Sequence, residues 1–382
     1  MRVLHASDLH AGKSLGRLSR NEDLYYALNQ VLQICRDEDV QILLLAGDIY
    51  DKPHPDSESQ NLILEFLTKA TQVVGHIVLI SGNHDSYDLI KSYKNLKRLS
   101  NIHVYDRPCR NPKDCILKVG ELTLACLPYP SERLLTHLSE EVYRSYTEKV
   151  STYLRKLSMD MESSKYNILL SHMMVESARV SGSEKQSTIG EFYAIKPEHI
   201  PSTFDYVALG HIHRHQKVEK ASTKAYYSGS LYQIDFSEKE MDKYVNLVTL
   251  EDDVKVRPIK LSLKRQLYEI RINQKDNFYE KLKEVEILSG LFKVILDVDI
   301  KDTSLNIKRN ELEKVLGDRL VKLEVQFVGH EMNQEVSNEG KIDLLELYQR
   351  YYKHAHASDI PDDIKNEFFK VFREAEHEAH TP

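Results

Sequence analysis

Seven residues able to bind a metal close successive runs of apolar residues: Asp8 and His10, Asp48, Asn83, His172, and the pair His211 and His213. They offer oxygen and imidazole donors without thiolate, a mixture that suits manganese, iron or zinc rather than copper or an iron–sulfur cluster. Seven donors exceed what one zinc ion takes and suit two ions with a shared ligand. Asp48 is the natural bridge, because a carboxylate has two oxygens where an imidazole turns one nitrogen to a metal. Two ions about 3.5–4 Å apart clamp the attacking and leaving oxygens of an in-line phosphoryl displacement and acidify the water between them. His84, beside Asn83, is then spare, and its near-neutral pKa fits it to protonate the leaving oxygen or to hold phosphate oxygens. Asp85 is expected to orient His84 or to cap the following helix.

The donors need elements to deliver them, and the hydrophobic pattern supplies these. Residues 2–6, 42–46 and 77–80 read as strands, the last two as continuous apolar runs buried on both faces. Between them, residues 22–36 and 59–72 carry apolar positions at helical spacing. This alternation is an α/β pattern, and ligands in open α/β sheets collect outside the carboxyl ends of the strands. Further strands at 122–127, 167–170, 206–209 and 244–250 extend it, two of them running into His172 and into Gly210-His211-Ile212-His213. After about residue 262 the texture changes to strands at 266–271, 292–298 and 321–327 with short helices at 278–286 and 310–315. Two helices, 341–353 and 361–376, are expected in the tail.

At roughly 100–200 residues per domain, 382 residues predict two to three domains. With 52 basic against 59 acidic residues, 41% hydrophobic and 29% charged, the balance is that of a globular protein and excludes disorder and collagen. Residues 331–382 hold 12 acids and 6 bases, leaving a net charge of −1 for the first 330. A nucleic-acid partner would have to be met by local basic clusters or bound cations, not by bulk charge. No run of about 18 apolar residues predicts a membrane span, and no secretory leader is read at the start, so a cytosolic protein is expected. Cys35, Cys109, Cys115 and Cys126 form no CxxC pair and are expected as reduced thiols.

The motifs DxH (Asp8, His10), GDxxD (Gly47-Asp48-Ile49-Tyr50-Asp51), GNHD (Gly82-Asn83-His84-Asp85), a lone His172 and GHxH together resemble the signature of the calcineurin-like metallophosphoesterases. Residues 4–13, Ser187-Thr188-Ile189-Gly190, 208–213, 227–231 and Asp235-Phe236-Ser237-Glu238 are similar to the SbcD branch, the nuclease subunits of bacterial SbcC–SbcD complexes. The likeness is close over about residues 1–250 and one of layout beyond. It implies an α/β fold, a β-sandwich flanked by helices over 1–262, then a small α+β capping domain at 263–335 and a C-terminal helical pair at 341–382. It also implies Asp8, His10, Asp48 and His213 on one metal and Asp48, Asn83, His172 and His211 on a second, with Mn²⁺ usual and His84 as the catalytic histidine. Archaeal relatives carry a second catalytic histidine where this chain has Asp51. Bacterial members commonly have Asp there, and Asp51 is expected to support the reaction by orienting a histidine. His54 is expected at the surface.

The resemblance further implies a DNA nuclease, an exonuclease on duplex ends and an endonuclease on single strands and hairpins, working in the cytoplasm at the nucleoid. Arg214 and His215 follow the ligand pair directly and are placed to meet a substrate strand, and Lys91, Lys94, Lys97 and Arg98 on helix 88–99 offer further phosphate contacts. A homodimer is implied through helices 59–72 and 88–99, with Leu62, Ile63, Phe66 and Leu67 exceeding what one core face needs. The acidic tail would dock on the coiled-coil base of an SbcC-type, SMC-like ATPase, its aromatic stripe laid in a groove. The alternative is a phosphatase or small-molecule phosphodiesterase on the same fold. Protein phosphatases of the kind typically read GDxxDRG and GNHE, where this chain has Asp51-Lys52-Pro53 and Gly82-Asn83-His84-Asp85.

Overall fold

The computed structural model describes residues 1–98, 101–138, 145–161, 164–184, 194–299 and 302–328, with Tyr352, Ile360, Pro361, Ile364 and Lys365. Contacts divide the chain into Met1–Val328 and Gly329–Pro382. Apart from Tyr352, Pro361, Ile364 and Lys365 the two tail helices lie outside the described residues, as do the Ser187-Thr188-Ile189-Gly190 motif and the side chains of Lys97 and Arg98.

The first unit runs β1 (Arg2–Ala6), a short hairpin β2 (Ser14–Leu15) and β3 (Leu18–Ser19), α1 (Asn21–Asp37), β4 (Ile42–Ala46), α2 (Ser57–Ala70), β5 (His76–Ile80), α3 (Tyr87–Ser92) and β6 (Ile102–Tyr105). It continues with β7 (Ile116–Val119), β8 (Leu122–Leu127), α4 (Glu132–Leu138), α5 (Tyr146–Asp160), β9 (Tyr166–His172), β10 (Met174–Val175), β11 (Ala194–Ile195) and β12 (Tyr206–Gly210). After β13 (Gln216–Lys217), β14 (Lys224–Tyr227), β15 (Lys243–Leu250) and β16 (Val254–Leu261) come β17 (Gln266–Ile272), α6 (Phe278–Glu286), β18 (Gly290–Val298), α7 (Leu305–Leu316) and β19 (Leu320–Phe327).

Two six-stranded sheets face each other, ordered β16-β15-β1-β4-β5-β6 and β13-β14-β12-β9-β8-β7. The apolar runs explain the stacking. In β4, Ile42, Leu44 and Ala46 meet the second sheet, while Leu43 and Leu45 pack under α1 and α2. In the second sheet, Ile168, Leu170, Tyr206 and Ala208 face inward, and Leu169, Val207 and Leu209 meet Val150, Leu154 and Leu157 of α5. Strands buried on both faces read as unbroken hydrophobic runs, and the result is four layers: helices, sheet, sheet, helices. β1, β4 and β5 run parallel, as do β8, β9 and β12, so six carboxyl ends open at one rim.

Residues 266–327 form a parallel sheet β17-β18-β19 with its own core of Phe278, Leu282, Phe292, Val294, Leu296, Leu312 and Leu316. It is stitched to α1. Gln30 and Ser262 exchange two hydrogen bonds (2.8 and 2.9 Å), and the Arg265 guanidinium sits on Asp23.

Three expectations change. Cys109 and Cys115 are joined by a disulfide across a six-residue separation with Cα atoms 5.8 Å apart, whereas only Cys35 and Cys126 are free thiols. The turn capped by Asn111, whose side chain accepts from Lys113 N–H, folds this loop back on itself, which CxxC spacing does not capture. The helix expected at 88–99 ends at Ser92 and passes into a 3₁₀ segment, Tyr93–Arg98. There the Ser92 hydroxyl donates to the Leu89 carbonyl (2.6 Å), a side-chain bond that competes with helix continuation. Of the apolar stripe on α2, Ile63, Phe66 and Leu67 are core residues and Leu62 is half-buried in the groove against α1.

Candidate metal centre

The rim where the strands end gathers all seven predicted donors. After β1 and β4 the chains stay zipped: Asp8 N–H donates to Gly47 O (3.1 Å), His10 N–H to Asp48 O (3.0 Å) and Ala11 N–H to Ile49 O (3.0 Å). To turn their side chains to a common point, Asp8, His10, Asp48 and His211 adopt positive φ of 52°, 46°, 48° and 100°. Left-handed backbone costs a non-glycine residue of order 1–3 kcal/mol and clusters at functional sites. The sheets meet here as well, since His172 Nδ1–H, at the end of β9, donates to the carbonyl of Ala46 at the end of β4 (2.8 Å).

The hydrogen bonds fix the imidazole tautomers. Nδ1 of His172 faces a carbonyl, Nδ1 of His213 lies 3.0 Å from Glu238 Oε1, and Nδ1 of His10 lies 3.3 Å from Asp51 Oδ1. For His172 and His213 the proton is on Nδ1 and the Nε2 lone pair is turned inward, and the Asp51 carboxylate beside Nδ1 of His10 favours the same tautomer there. Nε2 of His10 and of His213 stand 3.1 Å apart, and Nε2 of His10 and of His172 lie 3.6 and 3.4 Å from the same oxygen, Asp48 Oδ2. Asn83 Oδ1 is 2.9 Å from both His172 Nε2 and His211 Nδ1. Lone pairs facing lone pairs repel unless cations lie between them. Asp8, His10 and His213, and Asp8, Asp48 and His172, form donor triads within 4.8 Å. These residues fit divalent metal ions, which when bound supply Lewis-acid polarisation of a phosphoryl oxygen and an acidified water.

Electrostatics point the same way. Asp8, Asp48, Asp51, Glu184 and Glu238 converge here, answered among the described residues by the ammonium groups of Lys13 and Lys243. Burial would raise the Asp48 carboxyl, but His172, and more weakly His84 and His10, hold it well below its usual range. For His172, burial is overcome by Asp48 and the pKa rises to about 9. His211 is driven down to about 3, by burial first and by the charge of His172 second. A site that draws a proton onto the buried His172 is one where a cation is wanted.

His84 is half-buried beside this cluster. Its N–H donates to Asp48 Oδ1 (2.9 Å) and its Nδ1–H to the carbonyl of Asp51 (2.8 Å), which fixes the ring beside the cluster. Its ring meets His10 edge-on, and it forms a third triad with His10 and Asp48. Asp51 thus touches two histidines, His10 through its carboxylate and His84 through its backbone. Asp85 does not cap α3, whose cap is Ser86. Its carboxylate instead accepts from the N–H groups of Ile49, Tyr50 and Gly82 and ties the second motif to the third. Burial, with Asp48 nearby, raises it to about 6.

The outer residues divide. Arg214 is exposed and follows His213 at the rim. His215 is half-buried, 2.9 Å from Asn246 Oδ1. Lys91 is exposed, Lys94 is ion-paired with Asp106 (2.5 Å), and His54 is at the surface. Sequence reasoning gave no role to Glu184, Glu238, Lys243 or Tyr129. Tyr129 stacks on His211 and meets His172 edge-on. The signal for Glu238 was its place at the end of the family-like stretch 235–238.

Among the described residues, no helix is long and apolar enough to cross a membrane. Residues 1–215 match the family model "Calcineurin-like phosphoesterase". The chain is 31% identical over 257 residues to SbcD, the D component of the SbcCD nuclease of Bacillus subtilis, the match covering 65% of this chain and 66% of that protein, just under two thirds of its length. Among solved structures, a dimetal phosphatase from Danio rerio aligns with a TM-score of 0.41 at 12% identity, over 69% of this chain and 99% of that one. GAP50 of Plasmodium aligns with a TM-score of 0.36 at 11% identity, over 70% and 90%. At those scores neither structure bears on function. The family match spans more than half of the chain and contains all seven donors, so the chain belongs to the calcineurin-like phosphoesterase family and is a metal-dependent phosphoesterase.

Proposed function

We propose that this chain is the nuclease subunit of an SbcC–SbcD-type complex, hydrolysing DNA phosphodiesters with two divalent cations, Mn²⁺ being the usual ion of the family it resembles. The observation that carries the two-metal reading is the inward set of lone pairs around Asp48, whose Oδ2 faces His10 on one side and His172 on the other. One carboxylate oxygen shared by two imidazole groups is the geometry of a bridge. Asp8, His10, Asp48 and His213 would hold the first ion, and Asp48, Asn83, His172 and His211 the second. Among the described residues, five carboxylates converge here against two ammonium groups, which also favours two dications over one.

His84 protonates the leaving oxygen or steadies the non-bridging oxygens, with Asp51 holding it and His10 in place. The step to DNA is supported by the 31% identity to the Bacillus subtilis nuclease component. On this reading Arg214 and His215, with Lys91 and Lys94 more distant, meet the DNA backbone. The domain at 263–335 guides DNA to the site, and the tail at 341–382 binds the coiled-coil ATPase. The family resemblance further implies a homodimer and work in the cytoplasm at the nucleoid.

End-labelled duplex and hairpin DNA incubated with the purified chain and Mn²⁺ tests this. Cleavage is expected, abolished by EDTA and reduced at least about 100-fold in His84→Ser, in line with loss of a general acid. Intact DNA alongside hydrolysis of an aryl phosphodiester, with the ATPase partner present, would sink the DNA reading and leave a phosphodiesterase of other substrate.

A further inference from the structure

Residues 235–238 supply none of the seven metal donors, yet they end in a wholly buried carboxylate. Glu238 Oε1 lies 3.0 Å from Nδ1 of His213, and its Oε2 accepts from Nζ of Lys243 at 2.5 Å, from Ile234 N–H at 3.1 Å and from Ser230 Oγ at 3.3 Å. Lys243 is as deeply buried and also donates to the carbonyl of His213 (3.3 Å) and to Ser230 Oγ (2.7 Å). On the other side, Glu184 Oε1 accepts the backbone N–H of His213 (3.0 Å). Every polar atom of His213 apart from Nε2 is therefore gripped: N by Glu184, O by Lys243 and the Ser230 N–H, and Nδ1 by Glu238 together with the Ser183 hydroxyl, which lies 2.6 Å from Nδ1 and also donates to Glu238 Oε1.

A buried ion pair is a poor stabiliser, because apolar residues of the same volume commonly do as well. Its use here lies in what it holds. We infer that Glu238 is a positioning residue for His213: by accepting Nδ1–H it fixes the tautomer that turns the Nε2 lone pair to the metal, orients the ring and raises its basicity. Lys243 keeps Glu238 ionised and in place, and Glu184 sets the backbone on which the ring pivots. Carboxylate partners of metal-bound histidines act this way, and their loss typically weakens metal binding about 10- to 100-fold. The inference rests on the two-metal reading, and it assigns the effect to the His213 position alone.

The test is calorimetric titration of the full chain with MnCl₂, comparing the natural protein with Glu238→Gln and Glu238→Asp. The Gln variant removes the charge that Lys243 needs. The Asp variant keeps that charge but withdraws the oxygen from Nδ1, so it carries the test if the Gln variant does not fold. In a variant whose circular dichroism spectrum matches the natural protein, one Mn²⁺ per chain is expected to bind about 10- to 100-fold more weakly and the other unchanged. Unchanged affinity at both positions, or an equal loss at both, would overturn the role of Glu238. Fewer than two Mn²⁺ bound by the natural protein would instead overturn the two-metal reading, before any variant is compared.

Discussion

A methyl group on Gly210 would stand 1.9 Å from the carbonyl oxygen of Ala46 and 2.8 Å from Nδ1 of His172, and both of those atoms belong to the bond that joins the two sheets. Neither can retreat, since one is strand backbone and the other is held by it. Gly210→Ala should therefore cost on the order of 3 kcal/mol, the upper end for overpacking, and should weaken Mn²⁺ binding through His172 and His211. Urea unfolding with metal titration would check this, and a variant with unchanged midpoint and affinity would contradict it. His5 makes a second residue-level case. It lies between the sheets with Nδ1 2.9 Å from the Tyr206 hydroxyl, and burial pushes its pKa from 6.5 to about 3. The folded chain refuses a proton that the unfolded chain accepts, so this contribution is whole above pH 6.5 and is lost as pH falls below it, by about 1.4 kcal/mol per unit. His5→Gln should show a shallower loss of stability between about pH 6.5 and 5; identical slopes would rule the account out. The donors themselves were legible because their types and their places after apolar runs are sequence properties. The positive φ of Asp8, His10, Asp48 and His211 was not, since it is imposed by the zipped loops after β1 and β4.

At the scale of elements, the strands that carry the site were legible because burial on both faces writes an unbroken apolar run, as in Ile42-Leu43-Leu44-Leu45-Ala46. β16 was not, for its pattern over Val254–Leu261 is largely exposed and charged, and only pairing with β15 makes it a strand. α5 was missed although Ser145 and Glu148 form a capping box, because its apolar stripe is interrupted by serines and threonines. The small sheet offers a clean test of element independence. Phe292 is fully buried in its core, stacked on Tyr268 with the Arg319 guanidinium over its ring. Phe292→Ala should cost about 3–5 kcal/mol, felt in β17, β18 and β19. In hydrogen exchange those strands should lose protection while β4, β9 and β12 keep theirs, and Mn²⁺ binding should be retained. Equal loss throughout residues 1–328 would show that the small sheet is not a separate cooperative unit.

At the scale of the molecule, charge is distributed so that carboxylates concentrate at the metal centre. The first 330 residues are nearly neutral, yet carboxylates converge at the strand ends with few ammonium groups to answer them. Composition showed the near-neutrality and placed the surplus acid in the tail, but which carboxylates converge is set by long-range folding: Glu238 reaches His213 across 25 positions and Asp8 meets the backbone of His211 across 203. A fold that concentrates anions in this way should be held together by its cations. Each ion bound at about 100 times its Kd adds about 2.7 kcal/mol to unfolding, so two should raise stability by about 5 kcal/mol. The thermal midpoint should accordingly rise by several degrees with Mn²⁺ and fall back with EDTA. Asp48→Asn should remove most of that rise, because it takes the shared carboxylate from both positions at once, whereas Asn83→Ala should remove about half. A natural protein whose midpoint ignores Mn²⁺, or an Asp48→Asn variant that keeps the full rise, would show that the converging carboxylates are not a metal centre.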